Sequence, residues 1–99
     1  MEDKSHPKNR LALYRKRMDL SQKQVAALLG LKNPAILSHY ERGTSLPSLS
    51  RALCLEIIYR VPVAFLFPDL YEKLRSGIRD KEGRSPHRRN PIDPSSNDL

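Results

Sequence analysis

Ala35, Ser38, His39 and Arg42 recur at helical spacing and share one face of the segment 34–42. At about 100° per residue, Ile36, Leu37, Tyr40 and Glu41 take the other side. One face is small, polar or basic, and the other is mostly apolar. A solvated surface helix usually carries Glu and Lys at i,i+4 on its outer face. This face has no acid, and it begins with small side chains that let a partner come close. Its hydroxyl and imidazole can each donate or accept a hydrogen bond. Such a helix suits a DNA major groove, where base edges present donors, acceptors and the thymine methyl.

The residues around it would hold that helix in place. Ser21 suits a helix N-cap, because its hydroxyl can accept a free N–H of the first turn. Gln24 follows three residues on and completes a capping box, with Leu20 and Val25 at the positions of a hydrophobic staple. Val25, Ala26 and Leu29 share one helical face, and Gly30 suits the left-handed residue that ends a helix. Asn33 caps the next helix and Pro34 takes its first position, where a missing N–H costs nothing. Residues 21–43 therefore predict two short helices joined by a tight turn.

The chain has 99 residues, net charge +7 and pI about 9.9. That size suits one domain with one modest core, and that charge favours polyanions. The excess lies early: residues 1–20 carry six basic and three acidic side chains, and residues 21–46 carry three and one. No apolar run approaches the roughly 18 residues of a membrane span. The start, MEDKSHPKNR, is acidic then basic with no apolar segment after it, so no secretory signal is expected. A single cysteine, Cys54, cannot form an intramolecular disulfide and fits a reducing compartment. His6, His39 and His87 are scattered, and no Cys/His pair has metal-ligand spacing. No metal, cofactor or catalytic constellation is expected.

Upstream, Leu11, Tyr14 and Met18 follow helical spacing, with Asn9 or Ser5 as the cap. Downstream, Gly43 closes the 34–42 helix. Ser48 caps a fourth helix with Leu49, Ala52, Leu53, Leu55 and Tyr59 inward, Ile57 and Ile58 as a partly exposed flank, and Cys54 buried or half-buried. Val63–Phe67 begins a fifth helix, interrupted at Pro68. Asp69–Ser76 adds a turn or two, with Leu70, Tyr71 and Leu74 inward, and Gly77 ends it. From Ile78 onward the chain has too little apolar area to offset its ordering entropy. The expected organisation is a flexible arm over 1–7, a folded domain over 8–76 and a disordered polar tail over 77–99. The domain is expected to be all-α, a compact bundle of four to five helices.

LALYRKRMDLSQKQVAALLGLKNPAILSHYERG, with Pro47 beyond it, resembles the helix-turn-helix domain of phage repressors and Cro proteins, the XRE type. The matching residues are Leu11, Arg15, Leu20-Ser21-Gln22, Val25-Ala26, Leu29-Gly30-Leu31, Leu37-Ser38, Glu41, Gly43 and Pro47. Val61-Pro62-Val63 and Leu66-Phe67 match the family's entry to its last helix. The resemblance spans about residues 9–70 and implies a lambda repressor-like fold. Two positions depart from it. One extra residue lies between Gly30 and Leu37, placed in the turn at Lys32 or Asn33. Glu56 stands where the family has a small buried residue, so either the helix is rotated there or Glu56 has a basic partner.

The resemblance implies roles. Gln22 would hold a phosphate with the helix N-terminal N–H groups. Ser38 and His39 would read base edges, and Ala35 a thymine methyl. Arg42 would reach a phosphate or pair with an acid. Asn33 is a cap first and a DNA contact second, and Lys32 would add a phosphate contact if the turn faces DNA. Thr44 and Ser45, with the Gly43 backbone, would grip phosphates. Arg15 and Glu41 would form a salt bridge that sets helix orientation. The implied function is sequence-specific binding of double-stranded DNA by a cytoplasmic transcriptional regulator of repressor type. It would act as a homodimer through a face containing Ile57, Phe65, Phe67 and Tyr71. The alternative is an antitoxin-like regulator whose tail wraps a toxin-like protein partner. A membrane-surface protein is disfavoured, because the basic residues do not line an amphipathic helix opposite large apolar side chains.

Overall fold

The first three helices all stop on the same device. In the computed structural model, which describes residues 9–84, these are α1 (Leu11–Arg17), α2 (Gln22–Leu28) and α3 (Ala35–Arg42). Asp19, Gly30 and Gly43 follow them in the left-handed region, with φ of 61°, 78° and 78°. Each pair of N–H groups beyond the helix turns back onto the last turn: Asp19 to Lys16 and Leu20 to Arg15, Gly30 to Ala27 and Leu31 to Ala26, Gly43 to Tyr40 and Thr44 to His39. This is the Schellman arrangement, and it satisfies carbonyls that a helix end leaves open.

The starts are capped as locally. Ser21 Oγ accepts from Gln24 N–H at 3.0 Å, and Gln24 Oε1 accepts from Ser21 N–H at 2.7 Å. Asn9 Oδ1 accepts from Leu11 N–H at 3.0 Å, so Asn9 serves α1. Ser48 Oγ accepts from Arg51 N–H at 3.2 Å and opens α4 (Leu49–Tyr59). Asn33 Oδ1 accepts from Ala35 N–H at 2.9 Å, and α3 begins at Ala35, just after Pro34.

Leu11, Val25, Leu37, Leu55 and Leu66 are fully buried, one from each of α1 to α4 and one from α5 (Val63–Leu66). Tyr40, Tyr59 and Phe67 complete the core. Each such aliphatic side chain stabilises by roughly 1.5–3 kcal/mol relative to exposure. Arg10 N–H donates to the Leu66 carbonyl at 2.8 Å and ties the start of α1 to the end of α5.

Several expectations need correction. Glu56 has no basic partner among the described residues: its Oε1 accepts from Val63 N–H at 3.0 Å, satisfying a free donor at the start of α5. The last helix does not end at Gly77. α6 runs from Pro68 to Arg84, so there are six helices among the described residues, and residues 77–84 of the expected disordered tail are helical. Arg75–Glu72, Arg79–Glu82 and Arg84–Asp80 pair along it at i,i+3 or i,i+4, and such pairs favour a helix by a few tenths of a kcal/mol each. The rest of that tail and the expected arm over 1–7 lie outside the described residues. Leu70 is half-buried against the core, but Tyr71 and Leu74 are exposed. Leu49, Leu53 and Cys54 are exposed too. The apolar band on α4 is wider than its neighbours can cover.

Candidate nucleic-acid interface

The inner side of α3 is anchored before its outer side can present anything. Leu37, Tyr40 and Glu41 are buried. Asn9 Nδ2 donates to the Tyr40 carbonyl at 2.8 Å, and Arg51 Nη1 donates to the Tyr40 hydroxyl at 3.0 Å. Glu41 accepts from Arg15 Nε at 2.6 Å, from Arg15 Nη2 at 3.1 Å and from Gln22 Nε2 at 2.9 Å. Arg15 Nη1 donates to the Leu20 carbonyl at 3.1 Å. One carboxylate thus joins α1, the entry to α2 and the end of α3. The bond to Glu41 raises the Arg15 guanidinium above its ordinary pKa, against the opposing effect of burial. Tyr59 lies buried within the electrostatic reach of this pair, and its hydroxyl has no partner among the described residues. Burial pushes the Tyr59 pKa up, and the charge of Glu41 adds to the effect.

The outer side is a small network of its own. Ala35, His39 and Arg42 are exposed and Ser38 is half-buried. Arg42 Nη1 donates to Ser38 Oγ, and Arg42 Nη2 lies 3.1 Å from His39 Nδ1. Thr44 Oγ1 lies 3.0 Å from the same nitrogen and donates to the His39 carbonyl at 3.2 Å. Lys32 and Asn33 are exposed in the turn before α3, and Ser45 is exposed just after it. Glu41 is the one acid between residues 21 and 46, and the ion pair withdraws it from the surface. The exposed surface of α2, the turn and α3 therefore carries only positive charge.

Residues 11–66, more than half of the chain, match the family model for the helix-turn-helix domain. The chain belongs to the helix-turn-helix family. It is a DNA-binding transcription regulator of the XRE type. No curated protein matches the chain. Among the described residues of this helix-turn-helix protein, no helix is long and apolar enough to cross a membrane. No group of three or more His, Cys, Asp or Glu side chains there could hold a metal ion.

The helix-turn-helix fold gathers the expected site residues into two sets. Ser38, His39, Arg42 and Thr44 touch one another on the outer side, with Ala35 at the near end of the same face. Gln22 instead shares the Glu41 carboxylate with Arg15, which leaves one amide hydrogen for any other partner. Ile36, assigned by periodicity to the inner side, lies at its edge and is exposed. The bond from Arg51 to Tyr40 has no signal in the sequence, since nothing local marks two residues eleven apart. The contact of Thr44 with His39 did have one. In a Schellman ending the second residue past the helix packs on the residue that began its last turn, and Gly43 announces that ending.

Proposed function

We propose that this protein is a sequence-specific repressor that lays α3 in the DNA major groove. In this reading Ala35, Ser38 and His39 face base edges. Gln22, Lys32, Asn33, Arg42, Thr44 and Ser45 meet the phosphate backbone on either side, in the cytoplasm where the nucleoid lies. The observation that supports it is the acid-free outer side of α3, kept so by burial of Glu41 against Arg15. The test is selection of bound sequences from random DNA at two salt concentrations, with wild type and His39→Ala. An enriched sequence whose information drops at one or two positions in the variant supports base reading. Binding that falls steeply with salt and enriches nothing leaves only counterion release at the backbone, and the proposal fails.

We further propose that two copies pair on a two-fold operator through the outer side of α4. The exposed residues there are Leu49, Ser50, Leu53, Cys54 and Ile57, none of them charged. Leu49 and Ile57 are 76% and 73% exposed. In a chain of net charge +7, an uncharged patch is where two identical copies can meet without repulsion. An acidic partner would find no basic handle on it. Phe65 is exposed, whereas Phe67, expected to contribute, is buried in the core. Sedimentation of wild type and Leu53→Glu tests this pairing. A wild type that remains monomeric at micromolar concentration overturns it.

A further inference from the structure

His39 has two neighbours competing for one nitrogen. Nδ1 lies 3.1 Å from Arg42 Nη2 and 3.0 Å from Thr44 Oγ1. A guanidinium only donates, so a bond from Arg42 requires a bare lone pair on Nδ1, and the ring hydrogen then sits on Nε2. The Thr44 hydroxyl has an acceptor of its own in the His39 carbonyl, 3.2 Å away. With its hydrogen on that carbonyl, Thr44 meets Nδ1 as an acceptor, an arrangement that requires the hydrogen on Nδ1 and leaves Nε2 bare. A neutral imidazole carries one N–H, so it satisfies Arg42 or Thr44 but not both. Nε2, on the far side of the ring, has no partner among the described residues, and His39 is exposed.

We propose that Arg42 sets the tautomer of His39 and thereby which base edge His39 fits. With Arg42 on the ring, Nε2–H points outward as a donor. It then suits acceptors such as guanine O6 and N7 or thymine O4. When Arg42 is drawn to a phosphate, the ring takes a proton from water at Nδ1 and releases one to water at Nε2. Thr44 then accepts from Nδ1–H. Nε2 is now an acceptor and suits the amino groups of adenine or cytosine. Ser38 stabilises the first state, because Arg42 Nη1 is bonded to its hydroxyl while Nη2 faces the ring. Arg42 is then a specificity-determining residue that acts through His39 and not only a backbone contact. The base-reading half rests on the proposed placement of α3 in the groove; the tautomer half does not.

The experiment has two arms on the full chain. In the first, without DNA, 15N NMR of the imidazole reads the tautomer at a pH where the ring is neutral. Thr44→Val should move the ratio toward Nε2–H and Arg42→Ala toward Nδ1–H, each by about fivefold, the effect of one hydrogen bond of ordinary net strength. The same ratio in both variants overturns the proposal. In the second, sequences are selected from random DNA with wild type, Arg42→Ala, His39→Ala and the double variant. Arg42→Ala should change the preferred base at the position that His39→Ala relaxes. It should change none in the His39→Ala background. Weaker binding with unchanged base preference reduces Arg42 to a phosphate contact and overturns the specificity half. If wild type itself enriches no sequence, the groove placement fails, and the NMR arm alone decides the tautomer half.

Discussion

Arg15 meets Glu41 twice, Nε to Oε2 at 2.6 Å and Nη2 to Oε1 at 3.1 Å, with side chains 12% and 7% exposed. The pair spans 26 residues of sequence and crosses from α1 to α3. A surface pair contributes roughly 0–1 kcal/mol. Removing one partner of a desolvated pair costs about 3–5 kcal/mol, because the other charge stays behind unpaired. Glu41→Ala also strips Gln22 of its acceptor. Glu41→Ala should therefore lower the melting temperature far more than Ser38→Ala, whose partner Arg42 is exposed. Similar small losses in both variants, by thermal denaturation, would show that this pair is merely solvated.

Glu56 caps α5 through the Val63 N–H at 3.0 Å. An amide oxygen accepts the same bond, so Glu56→Gln should keep most of the stability. Glu56→Ala leaves the donor open and should cost about 1 kcal/mol, in the range of other lost caps. Urea unfolding of the two variants separates them. A loss as large for Gln as for Ala would mean that the charge matters and the cap does not.

Tyr59 buries a hydroxyl that has no partner among the described residues. Removing an unsatisfied polar group of the same shape is neutral or stabilising, by up to roughly 1–3 kcal/mol, so Tyr59→Phe should not lower the melting temperature. The pH dependence has a definite sign. The folded-state pKa of Tyr59 is raised from its ordinary value of 10.0, by burial first. The folded state therefore holds this proton after the unfolded chain releases it, and stability falls as pH rises beyond about 10. Tyr59→Phe should lessen that alkaline fall, read as the difference between the two stability–pH curves. Parallel curves would place the Tyr59 hydroxyl in contact with water.

Gly77 and Gly30 should respond to alanine with opposite signs. Gly77 lies inside α6, and an added Cβ there meets nothing within 4 Å. Alanine should favour that exposed helix by about 0.5–1 kcal/mol, seen as higher helicity by circular dichroism. Gly30 holds φ +78° at the end of α2. There the strain of a left-handed L-residue is roughly 1–2 kcal/mol, so Gly30→Ala should lower the melting temperature although the Cβ has room. A neutral Gly30→Ala would mean that the turn relaxes.

What the chain determines by itself is what it does within a few residues. Ser21 with Gln24, Asn9, Ser48, Gly30 and Gly43 cap their helices through bonds that span five residues or fewer, so residue type and spacing suffice to place them. The division of α3 into an inner and an outer side is legible for the same reason. Bonds between distant residues are not. Glu41 with Gln22, Arg51 with Tyr40 and Glu56 with Val63 depend on how helices cross, and no local pattern records that. Arg15 with Glu41 was expected only through resemblance to a family. Periodicity likewise says which side of a helix is apolar but not what covers it. α4 therefore read as inward along Leu49 and Leu53, and only the tertiary structure leaves them in solvent. α6 read as too polar to fold beyond Gly77, because composition averages over side chains that pair one turn apart. The recognition side of α3 stands between these cases. Its residues are visible in the sequence, but the sharing of His39 Nδ1 between Arg42 and Thr44 exists only because the chain turns back over the helix end at Gly43.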